Sequence, residues 1–120
     1  MLLCPNIDID VKDEQTGTNA FWLAAFYGRG EICAMLANSG ANILLRHPET
    51  GSNALHVAIE RKHFMVAKML IQSKFPVNDT KKGGITPLIL ISRDKSKEAV
   101  SVAHSLTQYG ANIDQVTDLG

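Results

Sequence analysis

Short apolar segments alternate with polar breaks along the 120-residue chain. The apolar segments come in pairs, and each pair follows a glycine at position 17, 51 or 84. These glycines are 34 and 33 positions apart. A self-similar period near 33 residues indicates an array of stacked repeats, in which each unit buries its apolar face against the next.

A residue that can cap a helix stands two positions after each turn glycine and predicts where a first helix starts. The three caps are Asn19, Asn53 and Thr86. With the apolar segments they predict six helices, at about Ala20–Tyr27, Glu31–Asn38, Ala54–Arg61, Phe64–Gln72, Pro87–Ser92 and Lys97–Gln108. Gly28 suits the left-handed turn inside the first pair, whereas Lys62 and Lys74 stand where glycine is expected. The helix end before Phe75 is therefore expected to be less regular.

The segment Gly51–Ile59, with sequence GSNALHVAI, recurs as Gly17–Ala25 and as Gly84–Ser92. It resembles the ankyrin repeat, whose pattern is roughly G-x-T-P-L-H-x-A-A, followed by a second helix and G-A-x-x-N. Three copies in register carry the resemblance over nearly the whole chain. The resemblance implies an all-α solenoid of stacked helix-turn-helix pairs with protruding β-turn or hairpin fingers.

The same frame predicts the boundaries of the units. Residues 1–16 are read as the tail of a preceding repeat and a finger, 17–50, 51–83 and 84–116 as repeats, and 117–120 as the start of a further one. The third repeat carries three extra residues, which we place in the charged loop Arg93–Lys97. Leu2 and Leu3 resemble the end of a second helix, so we expect an excerpt of a longer array or a chain that needs a neighbour.

Repeat positions also predict the core. On the first helices the core positions are Phe21, Ala24, Ala25, Leu55, Ala58, Ile59, Leu88 and Ile91. On the second helices they are Ile32, Leu36, Val66, Leu70, Val102 and Leu106, with Met35 and Met69 as core filler and Cys33 as a small core residue. Replacing Leu55 by alanine is expected to cost about 2–5 kcal/mol.

Composition narrows the function classes. The formal net charge is zero and the sequence pI is about 6.9, which argues against a nucleic-acid module because such modules need a basic surface. No apolar stretch is long enough to span a membrane, so direct membrane insertion is not expected. The two cysteines, Cys4 and Cys33, suggest no disulfide framework. A reducing, cytoplasmic location is the expectation.

No residue pattern predicts catalysis. His56 occupies the histidine position of the ankyrin frame, which implies a structural role, and Trp22 and Ile89 replace it in the other repeats. The four histidines and two cysteines form no pair at metal-ligand spacing. Lys82-Gly83-Gly84 is too short for a phosphate-binding loop. We therefore predict no enzyme and no catalytic, cofactor or metal site.

The ankyrin resemblance implies that finger tips and the exposed face of the first helices bind other proteins. Carried over by position, the main candidates are Phe26, Tyr27, Arg46, Glu60, Arg61, Arg93 and Asp94. Further candidates are Gln15, Thr16, Thr18, Glu49, Thr50, Ser52, Thr80, Lys82, Gly83 and Ile85. Phe26 and Tyr27 are the most distinctive, because aromatic side chains provide rigid contact area. They could instead pack on a neighbouring finger.

Charge is also distributed unevenly. Residues 8–14 are mainly acidic and residues 74–97 mainly basic. We expect a partner segment of opposite polarity along the groove, although ordinary solvated fingers would give the same pattern.

These observations favour a protein–protein interaction module that binds another protein or peptide through a concave groove and finger tips, within a longer repeat array. One alternative is a structural spacer that contacts only its own repeats. Another is an accessory region of a larger enzyme or membrane protein.

Overall fold

The computed structural model describes residues 12–111, and this part of the chain folds into three helix pairs. The helices are α1 (Ala20–Phe26), α2 (Gly30–Asn38), α3 (Ala54–Glu60), α4 (Phe64–Gln72), α5 (Pro87–Ser92) and α6 (Lys97–Gln108). The predicted bounds agree to within one residue at every end. The tail of a preceding repeat lies largely outside the described residues, as do Cys4, the acidic Asp8 and Asp10, and the segment 117–120.

The helices form two rows. The first-helix row contains α1, α3 and α5, with α3 packed against both neighbours. The second-helix row contains α2, α4 and α6, in which α4 packs closely on α6 and less extensively on α2. This arrangement confirms the predicted all-α stack.

Local chemistry explains where the first helices begin. The side-chain oxygen of Asn19 accepts a hydrogen bond from the Trp22 backbone N–H at 3.0 Å, and Thr86 does the same for Ile89 at 3.2 Å. Asn53 accepts from the His56 N–H at 2.9 Å. Each bond satisfies a donor that has no partner inside its helix.

Short finger turns precede the first helices. In the second finger the His47 N–H donates to the Ser52 carbonyl at 2.8 Å, and in the third the Lys81 N–H donates to the Ile85 carbonyl at 2.9 Å. Neighbouring fingers are joined by a 2.8 Å bond from the Lys82 N–H to the Thr50 carbonyl. The fingers therefore brace one another along the stack.

The predicted core is largely confirmed. All eight first-helix positions are buried, and so are Val66, Leu70, Val102, Leu106 and Cys33. Leu36 and Met69 are partly buried, and the exposed exceptions lie on α2, where Ile32 is 44% exposed and Met35 is 46% exposed. Their equivalents on α4, Val66 and Met69, face the preceding second helix. Within residues 12–111 no helix precedes α2 on that side, so Ile32 and Met35 lack the helix contact that Val66 and Met69 have.

Two predictions about the second helices were wrong. The three extra residues do not enlarge the Arg93–Lys97 loop, because they lengthen α6 at its N-terminus to 12 residues, against 9 in α2 and α4. The end of α4 is as regular as the others. Lys74 adopts a φ of 66°, and the Phe75 N–H donates to the Leu70 carbonyl at 3.1 Å, as Ala41 and Ala111 do in their repeats.

Candidate partner-binding surface

An aromatic cluster lies along one side of α1. The Trp22 ring is buried and stacks on Phe26, with ring centroids 5.7 Å apart. Trp22 also contacts the His47 ring at 5.3 Å, and its Nε1–H donates to the Ser52 carbonyl at 2.8 Å. Phe26 is half-buried and meets Tyr27 edge-on at 5.0 Å. The cluster thus leads from a buried indole to a phenol ring that is 62% exposed.

A cation from the next repeat lies on this cluster. The Arg61 guanidinium is 4.6 Å from the centroid of the Phe26 ring, in a cation–π contact. Arg61 is itself exposed. Of the predicted partner-binding positions, Tyr27 and Arg61 therefore both contact Phe26.

Tyr27 and Arg61 lie ten positions after their turn glycines, whereas Arg93 lies nine positions after Gly84, because α5 is one residue shorter than α1 and α3. Each is the residue that ends a first helix, namely α1, α3 and α5 respectively. All three are exposed. They form a row of one aromatic and two guanidinium side chains across successive repeats, which we call the C-cap row.

A notch of about 470 Å³ opens between the ends of α3 and α5. Its floor is apolar and its rim is charged. It is lined by Ile59, Glu60, Lys62, Leu90, Ile91, Arg93, Asp94 and Lys95. The Ser96 backbone N–H donates to the Asp94 carboxylate at 2.9 Å. This bond and a side-chain bond from Ser96 lower the pKa of Asp94, so this carboxyl is ionised at neutral pH.

Two other predicted positions form contacts within the chain. The Arg46 guanidinium lies 3.0 Å from the Asp79 carboxylate and also donates to the Thr80 carbonyl. Glu60 forms an ion pair with Lys81 and accepts a hydrogen bond from the Ser52 hydroxyl. Their assignment to partner binding stays a prediction. These contacts give both residues a role in bracing the fingers.

Some of the sequence-based surface was placed wrongly, and some was missed. Thr18 is fully buried and Ser52 is 2% exposed, because both lie at the base of a finger beside a helix cap. Lys62, Leu90 and Lys95 were not predicted, although they line the notch. The sequence did contain a signal for Lys62, because this lysine stands at a turn position where the repeat normally has glycine.

His56 has the structural role that the sequence predicted. Its Nδ1 accepts a hydrogen bond from the Asn53 N–H at 3.2 Å, which leaves Nε2 protonated to donate to the Ile85 carbonyl at 3.1 Å. Burial lowers the pKa of His56 to about 4, against opposing backbone hydrogen bonds. Burial also raises the pKa of the Cys33 thiol to about 11, which disfavours the reactive thiolate.

Residues 12–111 contain no group of three His, Cys, Asp or Glu side chains placed to hold a metal ion. Within the same range, no helix has the length and apolar character needed to cross a membrane.

A family model described as ankyrin repeats, in three copies, matches residues 1–81, about two thirds of the sequence. This chain belongs to the ankyrin-repeat family. The third helix pair, α5 and α6, lies beyond the matched residues and repeats the arrangement of the first two. This ankyrin-repeat chain is also 28% identical, over 110 residues, to Protein glp-1 of Caenorhabditis elegans. That similarity covers 89% of the chain but only 8% of the relative's length.

Proposed function

We propose that this ankyrin-repeat chain is a protein-interaction module that binds another protein or a peptide segment along the C-cap row and the neighbouring finger tips. Ankyrin repeats are generally protein–protein interaction modules. The observation that supports this surface is the contact of Phe26, Tyr27 and Arg61. Aromatic and arginine side chains are the types that most often dominate binding energy at interfaces.

The structure also suggests how such a surface avoids a large entropic cost. Phe26 is held by Trp22 and covered by Arg61, so both contact groups are partly ordered before a partner arrives. Preorganisation of this kind reduces the free-energy cost of binding. In this proposal the module has no chemistry of its own and acts in the cytoplasm, the location expected for a sequence whose two cysteines suggest no disulfide framework.

The test is affinity capture from a cell lysate with the wild-type chain and with Tyr27→Asp. Tyr27 is the better target because Phe26 is half-buried, and its replacement by aspartate would disturb the stack. Tyr109→Asp is the matched control, since Tyr109 is 44% exposed and also ends a helix, but in the second-helix row. Circular dichroism establishes that each bait is folded.

We expect Tyr27→Asp to lose partners that wild type and Tyr109→Asp retain. An identical set of partners for all three baits would contradict the proposed surface. No partner for any folded bait would favour the alternative of a structural spacer.

A further inference from the structure

The cations of the C-cap row have no carboxylate partner within the part of the chain that the structure describes. Within residues 12–111 the ion pairs join Arg46 to Asp79 and Lys81 to Glu60. Arg61 is engaged by the Phe26 ring, and Arg93 is exposed at the rim of the notch. Both guanidinium groups therefore keep hydrogen-bond donors available to a ligand.

The two carboxylates beside the row do not cancel its charge. Glu60 is paired with Lys81, and the Asp94 carboxylate keeps its negative charge, which interacts with the Lys62 cation, so one carboxylate stands against four cations. Lys62 and Lys95 add two further cations to the rim. The ends of α3 and α5 thus form a locally positive surface on a chain whose formal net charge is zero.

We infer that the C-cap row binds an extended acidic peptide with two carboxylates spaced three residues apart, one over Arg61 and one over Arg93, and an apolar side chain on Tyr27. This inference rests on the proposed function and specifies the partner's chemistry.

The spacing follows from geometry. Packed helices lie about 8–10 Å apart, so we expect the ends of α3 and α5 at about that separation. An extended peptide in the polyproline II conformation rises about 3.1 Å per residue with three residues per turn, so three residues advance about 9 Å and return the side chain to the same face. Side chains three residues apart can therefore meet successive members of the row.

A carboxylate suits these cations better than a nucleic-acid backbone does. A guanidinium donates two parallel hydrogen bonds to one carboxylate, and stacking on an aromatic ring orients that donor plane. Nucleic-acid binding draws its affinity from many phosphate contacts over a broadly basic surface. Here the positive region is confined to the ends of two helices.

The experiment measures fluorescence anisotropy of a labelled peptide that contains one leucine followed by two glutamates, each three residues after the last. The same pattern in reverse order tests the opposite direction of binding. Control peptides replace both glutamates by glutamine, or move them five residues apart. A single-stranded RNA oligonucleotide of similar length is titrated in parallel.

The chain variants are Arg61→Gln and Arg93→Gln, with Lys74→Gln as the matched control. Lys74 is an exposed cation at the end of α4, in the other row. Ion pairs between exposed groups are weak, so each arginine variant should raise the Kd by about two- to fivefold. Lys74→Gln should leave the Kd unchanged, and the wild-type Kd should rise with salt.

Equal binding of the glutamate and glutamine peptides would overturn the inference, and so would tighter binding of the RNA. If Tyr27→Asp loses captured partners while Arg61→Gln and Arg93→Gln retain them, the interaction function stands and the acidic ligand is wrong. If none of the three variants changes capture, both proposals fail.

Discussion

At the scale of one residue, His56 links two repeats through both of its ring nitrogens. One nitrogen accepts a bond from the cap residue Asn53 of its own repeat, and the other donates to Ile85 in the next finger. Only the neutral imidazole, protonated on Nε2, can make both bonds. A second proton on Nδ1 would face the Asn53 N–H, and the buried ring would carry an uncompensated charge.

This geometry predicts a pH dependence of folding. The pKa of His56 is lowered to about 4 in the folded chain, against about 6.5 when it is unfolded. Between these values the unfolded state binds more protons, so the free energy of unfolding should fall as the pH drops from about 6.5 to 4. The slope should approach about 1.4 kcal/mol per pH unit, with a total near 3 kcal/mol. Urea denaturation at several pH values measures it.

His56→Gln separates this effect from the titration of carboxylates, which both proteins share. The variant should be less stable at pH 7, because it loses the paired hydrogen bonds, but its stability should depend less on pH in this window. His104→Gln is the control, since His104 is exposed on α6. If wild type and His56→Gln show the same slope, burial of neutral His56 is not what stabilises the fold near neutral pH.

At the scale of elements, the turn between α1 and α2 contains two glycines with different requirements. Gly28 has a φ of 74°, and a Cβ there would lie 2.5 Å from the His63 Nδ1 atom. Gly30, the first residue of α2, has no such restriction. Its added Cβ would be 3.7 Å from a Val66 methyl group and 3.8 Å from the Met69 sulfur, which are ordinary contact distances.

We therefore expect the same substitution to act in opposite directions two residues apart. Gly30→Ala should stabilise the chain by about 0.4–1 kcal/mol, because it restricts the unfolded state and adds contact to α4. Gly28→Ala should destabilise it by more than the roughly 1–2 kcal/mol of a left-handed alanine. Thermal or urea denaturation of the single variants measures both changes.

Gly40→Ala separates backbone strain from steric overlap. Gly40 has a φ of 91°, but a Cβ there would meet no atom within 4 Å. Its cost should therefore be the conformational part alone, smaller than that of Gly28→Ala. Equal costs at the two positions would show that His63 yields freely, and a destabilising Gly30→Ala would contradict the proposed open packing between α2 and α4.

The sequence predicted the bounds of the helices better than it predicted the effect of the three-residue insertion or the geometry at the end of α4. Caps and turn glycines are local signals, so α1 and α3 could be placed from Asn19 and Asn53. The bounds Lys97–Gln108 were predicted correctly, but the three extra residues were assigned to the loop before this helix, although the same bounds already make it longer than its counterparts. The structure adds the three residues to the helix because Ala99 then reaches the core. The regular end of α4 also needed tertiary information, because burial of Phe75 supports the left-handed Lys74.

At the scale of the whole molecule, the repeat frame predicts which positions are equivalent but not what covers each of them. Ile32 is equivalent to the buried Val66, yet it is exposed. Likewise, Arg46 and Glu60 were predicted as surface positions from the frame, while their pairing with Asp79 and Lys81 depends on the distance between neighbouring fingers. Contacts between side chains of different repeats decide which surface residues are covered or paired. The sequence pattern of a single repeat does not specify these contacts.

The unequal packing of the second-helix row should appear as unequal local stability. An open groove of about 630 Å³ lies between α2 and α4, lined in part by Gly30, Met65 and Met69, and α2 also exposes Ile32. By contrast, α4 packs closely on α6, and α3 has a neighbour on both sides. In a stack where each repeat contacts only its neighbours, the element with fewer buried contacts opens at lower free energy.

Amide hydrogen exchange measured by NMR should therefore show the fastest exchange among these helices in α2, slower exchange in α4 and the slowest in α3. Gly30→Ala, which adds contact across this groove, should slow exchange in α2 more than in α6. Equal protection of α2 and α3 would mean that the described repeats open as a single unit. In that case cooperativity between repeats, rather than the local packing of α2, would set the stability of this part of the chain.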